Sequence, residues 1–351
     1  MYVNSIVMQR PRLGRGSGFL RKLARKVKSI STGLTKVEAG FWVYSPLSMP
    51  VHHVEWLRPA NTQILSAQIS FICHRLGIRN PIVWVACPAA CDVAVSMRRS
   101  RLVYQRTDRM EEFPNVDKDV IRRYDATLKG AADVTIFVNT AVYEQERHEC
   151  RRALYLDHGV DFELFASARR DGTVPDEITD VSHPIVGFHG AFGVHTTDIP
   201  FIEKLVDRLP EMSFVFVGPV VPECRPLFDK RNVRMLGQKP YDRIPQYGKC
   251  FDVAIMPWCQ NQWIEACNPV KLKEYLALGK PIVSTPFPEL QKYADIVYQA
   301  TTVEQFAGCI RRALSEDGPE RIARRVERVR SASWDSKAKI VMDELFHGTR
   351  D

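Results

Sequence analysis

Lys271 and Glu274 stand three residues apart in the run Asn268-Pro269-Val270-Lys271-Leu272-Lys273-Glu274-Tyr275-Leu276-Ala277-Leu278-Gly279-Lys280-Pro281-Ile282-Val283-Ser284-Thr285. Proline is tolerated in the first turn of a helix, where its missing N–H has no partner to lose. The run therefore predicts a helix opening after Asn268-Pro269, closing at Gly279 and feeding the apolar strand Ile282-Val283-Ser284. Residues three apart share a helix face, and the free N–H groups at a helix start suit a phosphate. An ammonium and amide donors for a diphosphate, with a carboxylate for a ribose diol, describe a nucleotide-sugar site. The same spacing also describes an amphipathic helix with a solvated Lys/Glu pair, and spacing alone leaves both readings open.

Other residues invite the same question. Asp108 follows the strand predicted at Arg101-Leu102-Val103-Tyr104-Gln105. A carboxylate there would deprotonate an acceptor hydroxyl, or it would salt-bridge Arg106 or Arg109. Asp117 and Asp119 open a helix after Pro114-Asn115, so N-capping and compensation of the helix dipole account for them better than a metal does. Gly187, Gly190 and Gly193 follow a strand, where a glycine loop lets the backbone approach a phosphate; a tight turn is the plain alternative. The loop lacks the G-x-G-x-x-G spacing and no acid ends a second strand, which argues against a nicotinamide cofactor. Cys87 and Cys91 have no matching pair at metal-ligand spacing, and no zinc is expected.

The elements that must position these residues alternate. In the first half, strands are expected at Tyr2–Ile6, Phe41–Tyr44, Ile82–Val85, 101–105 and Val134–Val138, with helices at 57–77 and 117–130. The second half starts afresh at Ile185–Gly190, then a helix near 198–208, strands at Phe214–Val217, Asn232–Gly237 and Asp252–Pro257, and helices over 303–315 and 319–347. Such alternation predicts parallel sheets with helices on both faces.

Bulk properties bound the answer. A chain of 351 residues is comfortable for two domains. Its 45% hydrophobic and 26% charged content exclude wholesale disorder. No apolar run approaches the roughly 20 residues of a membrane-spanning helix, and the N-terminus does not read as a signal peptide. Nine cysteines without a C-x-x-C read as reduced thiols and a cytoplasmic chain. The net charge of +8 is concentrated between Arg10 and Lys36, where Phe19, Leu20, Leu23, Val27 and Ile30 are interleaved at helical spacing. A basic amphipathic segment suits an anionic membrane surface. No nucleic-acid-reading motif accompanies it, and a solvated helix is the plain alternative.

The segment 268–285 resembles the donor-binding stretch of GT-B glycosyltransferases, N-P-x-K-x-x-E-Y-L-A-x-G-K-P-V-V-S-T. Tyr155–Phe165 resembles the phrase P-x-G-V-D-x-x-x-F with which those enzymes leave their first domain, and Tyr104–Asp108 resembles a Y-x-x-x-D phrase of that domain. The resemblance implies two Rossmann-like domains with parallel sheets facing across a cleft, the first lacking its initial strand and helix. It implies residues 1–166 as the acceptor-side domain, 167–183 as linker, 184–330 as the nucleotide-sugar domain, and 331–351 as a helix crossing back. It implies that Lys271 faces the diphosphate and Glu274 the ribose, with Gly190, His189, Asn268 and Pro257 also on the donor and Asp108 as base. Where many retaining members carry a second Glu, this chain has Ala266 beside Glu265.

The expected activity is transfer of a sugar from a UDP- or GDP-linked donor to a hydroxyl of a glycan or lipid-linked glycan, in bacterial surface polysaccharide synthesis. No cofactor or metal is expected, because Lys271 and helix N-termini would meet the phosphate charge. The enzyme would work in the cytoplasm, peripheral at the inner membrane face through residues 10–36, without nucleic acid. A non-catalytic nucleotide-sugar-binding protein or a sugar-nucleotide epimerase are the alternatives.

Overall fold

The computed structural model describes residues 1–4, 33–47 and 55–346. The chain divides into two compact units: Met1–Phe137 with Val142–Tyr155, and Val138–Ala141 with Leu156–Asp351. Of the basic stretch 10–36, residues 10–32 lie outside the described residues.

Among the described residues, the first unit holds two sheets. Strands β1 (Tyr2–Val3), β2 (Leu34–Glu38) and β3 (Phe41–Tyr44) pair in the order β1-β3-β2, with β1 parallel and β2 antiparallel to β3. Strands β4 (Ile82–Val85), β5 (Arg101–Arg106), β6 (Val134–Phe137) and β7 (Ala153–Tyr155) form an all-parallel sheet in chain order. The alternation predicts parallel pairing throughout, and β2 departs from it: a turn through Gly40, at φ +77°, returns it against β3 as a hairpin. β1 and β4 are both edge strands, and they border an apolar cavity of about 680 Å3 floored by Ile69, Cys73 and Val93. All four β6 residues are buried, as a strand covered on both faces requires.

Helix Lys118–Ala131 is capped by Asp117, whose carboxylate accepts from the Val120 N–H at 3.3 Å. The Asp117/Asp119 pair thus serves the helix start. Arg106, at the end of β5, is 4% exposed and lies among Glu111 (2.9 Å), Asp125 (3.2 Å) and Glu146 (3.2 Å). Lys129 completes the cluster, 2.6 Å from Asp125 and 2.5 Å from Glu146.

The second unit carries one six-stranded parallel sheet: β8 (Ile185–His189), β9 (Ser213–Val217), β10 (Val233–Met235), β11 (Val253–Met256), β12 (Ile282–Ser284) and β13 (Tyr298–Gln299). Their order is β10-β9-β8-β11-β12-β13. The chain moves outward from β8 to β10, then returns to the other side of β8 at β11. That reversal makes a topological switch point, where ligands collect beyond the carboxyl ends of the strands. The helical stretch expected at 319–347 comprises Pro319–Val329 and, after a turn through Ser331-Ala332, a last helix Trp334–Phe346. Val160 N–H donates to the Ala332 carbonyl at 2.8 Å, and Lys337 meets Asp157 at 2.5 Å, so the last helix is fastened to residues 157–160.

Candidate functional site

The loop after β8 and the loop after β9 meet at two glycines. Gly190 has φ +134° and Gly218 φ +147°, backbone regions that L side chains rarely enter. Gly190 N–H donates to Val217 at 2.8 Å, and Gly218 N–H to Gly237 at 2.8 Å. A Cβ on Gly218 would collide with the Gly190 carbonyl, and one on Gly190 with the Lys271 ammonium. The backbone angles demand glycine at both positions, and at Gly218 the close backbone packing demands it too.

Opposite them begins helix Val270–Ala277, with Pro269 as N-cap and no side chain capping its first N–H groups. These elements surround a cavity of about 660 Å3, lined among others by His189, Gly190, Gly218, Tyr241, Lys271 and Glu274.

Lys271 and Glu274 are not a solvated pair. The Lys271 ammonium lies 4.5 Å from the ring centres of both Phe188 and Trp258. Among the described residues no carboxylate lies close enough to form an ion pair with it. Burial lowers its pKa to about 8 against the opposing pull of Glu274. Glu274 is buried, and its Oε1 accepts from the Tyr241 hydroxyl at 3.0 Å. Burial raises its carboxyl to about 7, outweighing the Tyr241 bond and the Lys271 charge.

His189, also buried, sets its Nε2 3.6 Å from Glu274 Oε2, and that nitrogen has no hydrogen-bond partner. Burial, with Lys271 adding to it, holds the imidazole down to about 3, so it is neutral at physiological pH. The result is an unpaired ammonium, an acceptor carboxylate and an unsatisfied imidazole nitrogen on one cavity wall. A bound anion with adjacent hydroxyls would satisfy all three.

Not every residue singled out from the sequence lines this cavity. Asn268 is buried, and its amide donates to the Val138 carbonyl at 2.6 Å, which fastens segment 138–141 into this unit. Pro257 is buried, its carbonyl accepting from Asp198 N–H at 2.9 Å. Its neighbour Trp258 is the cavity residue. Ala266 is buried and Glu265 exposed, neither of them in the wall. Asp108 belongs to the other unit, on the loop after β5, where its carbonyl accepts from Arg106 Nη1 at 2.8 Å. Phe188 and Trp258 do not read as site residues from the sequence, since aromatic residues in or after strands read as core, and Tyr241 reads as one of the apolar positions of a helix with Ile244 and Tyr247.

Comparison with known proteins agrees with this fold. A family model described as glycosyl transferases group 1 matches residues 183–316. The putative teichuronic acid biosynthesis glycosyltransferase TuaH of Bacillus subtilis is 27% identical over 175 residues, 47% of this chain and 43% of that protein. The match thus spans less than half of that relative. Among solved structures, sucrose-phosphate synthase from Thermosynechococcus elongatus superposes with a TM-score of 0.69 at 15% identity, over 96% of this chain and 94% of that one. HepE of Anabaena, solved in complex with UDP, gives a TM-score of 0.63 at 16% identity, over 86% and 85% of the two chains. The chain has the fold of the GT-B glycosyltransferases, and residues 183–316 match the model of the group 1 glycosyl transferases.

Proposed function

We propose that this chain transfers a sugar from a UDP- or GDP-linked donor to a hydroxyl of a glycan or lipid-linked glycan, in the synthesis of a bacterial surface polysaccharide. One observation carries the reading: the Lys271 ammonium sits between two aromatic rings at a glycine loop, with no counter-ion among the described residues. A half-buried cation with no carboxylate within ion-pair distance is poorly compensated in the empty protein, and a diphosphate would supply the close counter-charge. Glu274 would then take the ribose diol after Tyr241 lets it go, and Gly190 would bring backbone close to the phosphates. As the sugar departs from the diphosphate, Lys271 and the first N–H groups of its helix would carry the growing negative charge. Asp108 is the carboxylate proposed to accept the acceptor proton. The basic stretch 10–36 is proposed to hold the enzyme at the inner face of the cytoplasmic membrane. UDP-sugars are the first donors to try, since HepE was solved with UDP.

Calorimetric titration with UDP- and GDP-sugars tests the donor site. One nucleotide class should bind saturably, and Lys271→Ala and Glu274→Ala should each weaken it about tenfold or more, the scale of a lost charge-assisted contact. A folded sample that binds neither class would sink the proposal.

A further inference from the structure

The helix Arg58–Arg75 is apolar on two faces, and only one of them is covered. Leu65, Ile69, Ile72 and Cys73 are buried in the core of the first unit. On the opposite side Ile64 and Phe71 are 46% and 60% exposed, and Trp56, one turn before the helix, is 79% exposed. Ala60 and Ala67 are exposed between them. At 100° per residue, positions 56, 60, 64, 67 and 71 fall on one narrow line, about 22 Å long at 1.5 Å per residue. A contiguous exposed apolar patch on a protein surface marks an interaction site, so this stripe calls for a covering surface.

Charge identifies the cover. From Trp56 to Cys91 the chain has three arginines, Arg58, Arg75 and Arg79, and no acid; Arg58 pairs with Asp92 at 3.1 Å, which leaves Arg75 and Arg79 at the far end of the helix. The helix itself contains no acid, and the line of the stripe ends at the exposed His74 and Arg75, with Arg79 following. An apolar stripe with a large aromatic near each end and cations at one end matches the boundary of an anionic bilayer: rings at the acyl edge, guanidinium among headgroups. No helix among the described residues is long and apolar enough to cross a membrane, so the contact would lie along the surface.

We propose that the stripe Trp56–Ile64–Phe71 docks this protein on an anionic lipid bilayer. It is distinct from the basic stretch 10–36: it supplies apolar insertion, where that stretch would supply attraction over distance. Nothing in it depends on the donor site.

Vesicle co-sedimentation tests it, using phosphatidylglycerol-containing against pure phosphatidylcholine liposomes. The triple variant Trp56→Ser, Ile64→Ser, Phe71→Ser should bind anionic vesicles about tenfold more weakly or less, since burial of large apolar groups drives interfacial binding. Its circular dichroism and melting should stay unchanged, because all three side chains point outward. Trp56→Phe should bind like the parent, while losing part of the tryptophan quenching by brominated lipids. Equal vesicle binding by the triple variant, or no brominated-lipid quenching assignable to Trp56, would overturn the proposal. So would a parent dimer that the triple variant dissolves, because a second copy would then be the cover.

Discussion

At the scale of single residues, the donor cavity stores unfavourable charge, and that makes a prediction opposite to ordinary mutagenesis. Glu274 has its carboxyl raised to about 7 by burial, so the folded state resists its ionisation. That resistance is small near pH 4.5, grows as pH rises and is complete above about 7. Glu274→Gln should therefore be more stable than the parent at pH 8, by up to about 3 kcal/mol, the ceiling set by the rise from 4.5 to about 7. Lys271, lowered to about 8 by burial, is penalised fully below that value and less as pH climbs towards 10.5. Lys271→Met should also stabilise at pH 7, though less, since it forfeits the contacts with Phe188 and Trp258. Both variants should lose donor binding, the pattern of residues kept for function at the expense of stability. In the parent, affinity should peak between about pH 7 and 8 and fall on either side, as Glu274 gains a proton below and Lys271 loses one above. Glu274→Gln should flatten the acid limb and Lys271→Met the alkaline one. Melting scans with titrations from pH 6 to 9 decide this, and two variants that melt lower than the parent would refute it.

At the scale of elements, one helix carries two lysines of opposite meaning. Lys273 is fully buried, its ammonium 2.5 Å from Asp157 and bonded also to the His158 carbonyl. Burial alone would raise the Asp157 carboxyl, but Lys273 and Lys337 outweigh it and hold it below its usual range. Lys273→Met leaves that carboxylate half paired, and should destabilise by about 3 kcal/mol, a little less than a fully broken buried pair because Lys337 remains. Melting read beside Lys271→Met gives the contrast: one variant up, the other down, two positions apart. The sequence distinguished Lys271 through its motif, yet it held no mark that Lys273 is a structural tie, because Asp157 lies more than a hundred residues away. The legible elements were those with strong local signals. The helices at 199–208 and 303–315 and the strands β8, β9 and β11 were read from hydrophobic period and glycine breaks. What stayed hidden depended on neighbours. β2 lies in a stretch read as a basic arm, and it is a strand because β3 pairs with it. Tyr241 read as an ordinary helix residue until its hydroxyl was seen on Glu274.

At the scale of the whole molecule, the two units divide the labour of staying folded, and they should be separable by one substitution. In the first unit Arg106 compensates Glu111, Asp125 and Glu146 at once. Burial would raise Glu111 and Glu146, but Arg106 outweighs it, and both carboxyls lie below their usual range. Groups lowered in this way contribute stability above their unfolded pKa and lose it as pH falls through the folded one. Arg106→Met removes one of two cations from a cluster in which Glu111 and Asp125 are buried and Glu146 is half-buried, leaving Lys129 on Asp125 and Glu146, and should cost about 3 kcal/mol. Its carboxyls would then take up protons at higher pH, so acid unfolding of the first unit should begin earlier than in the parent. The cavity proposed for the donor is lined by residues of the second unit, so nucleotide affinity should change by less than about twofold, well under the 1.4 kcal/mol of a tenfold change. Transfer should fall all the same, because Arg106 also holds the carbonyl of Asp108. Donor titration, two-probe melting and turnover on one preparation make the test. Donor affinity that collapses together with the first unit would mean the cavity needs more than its own sheet and helix to stand.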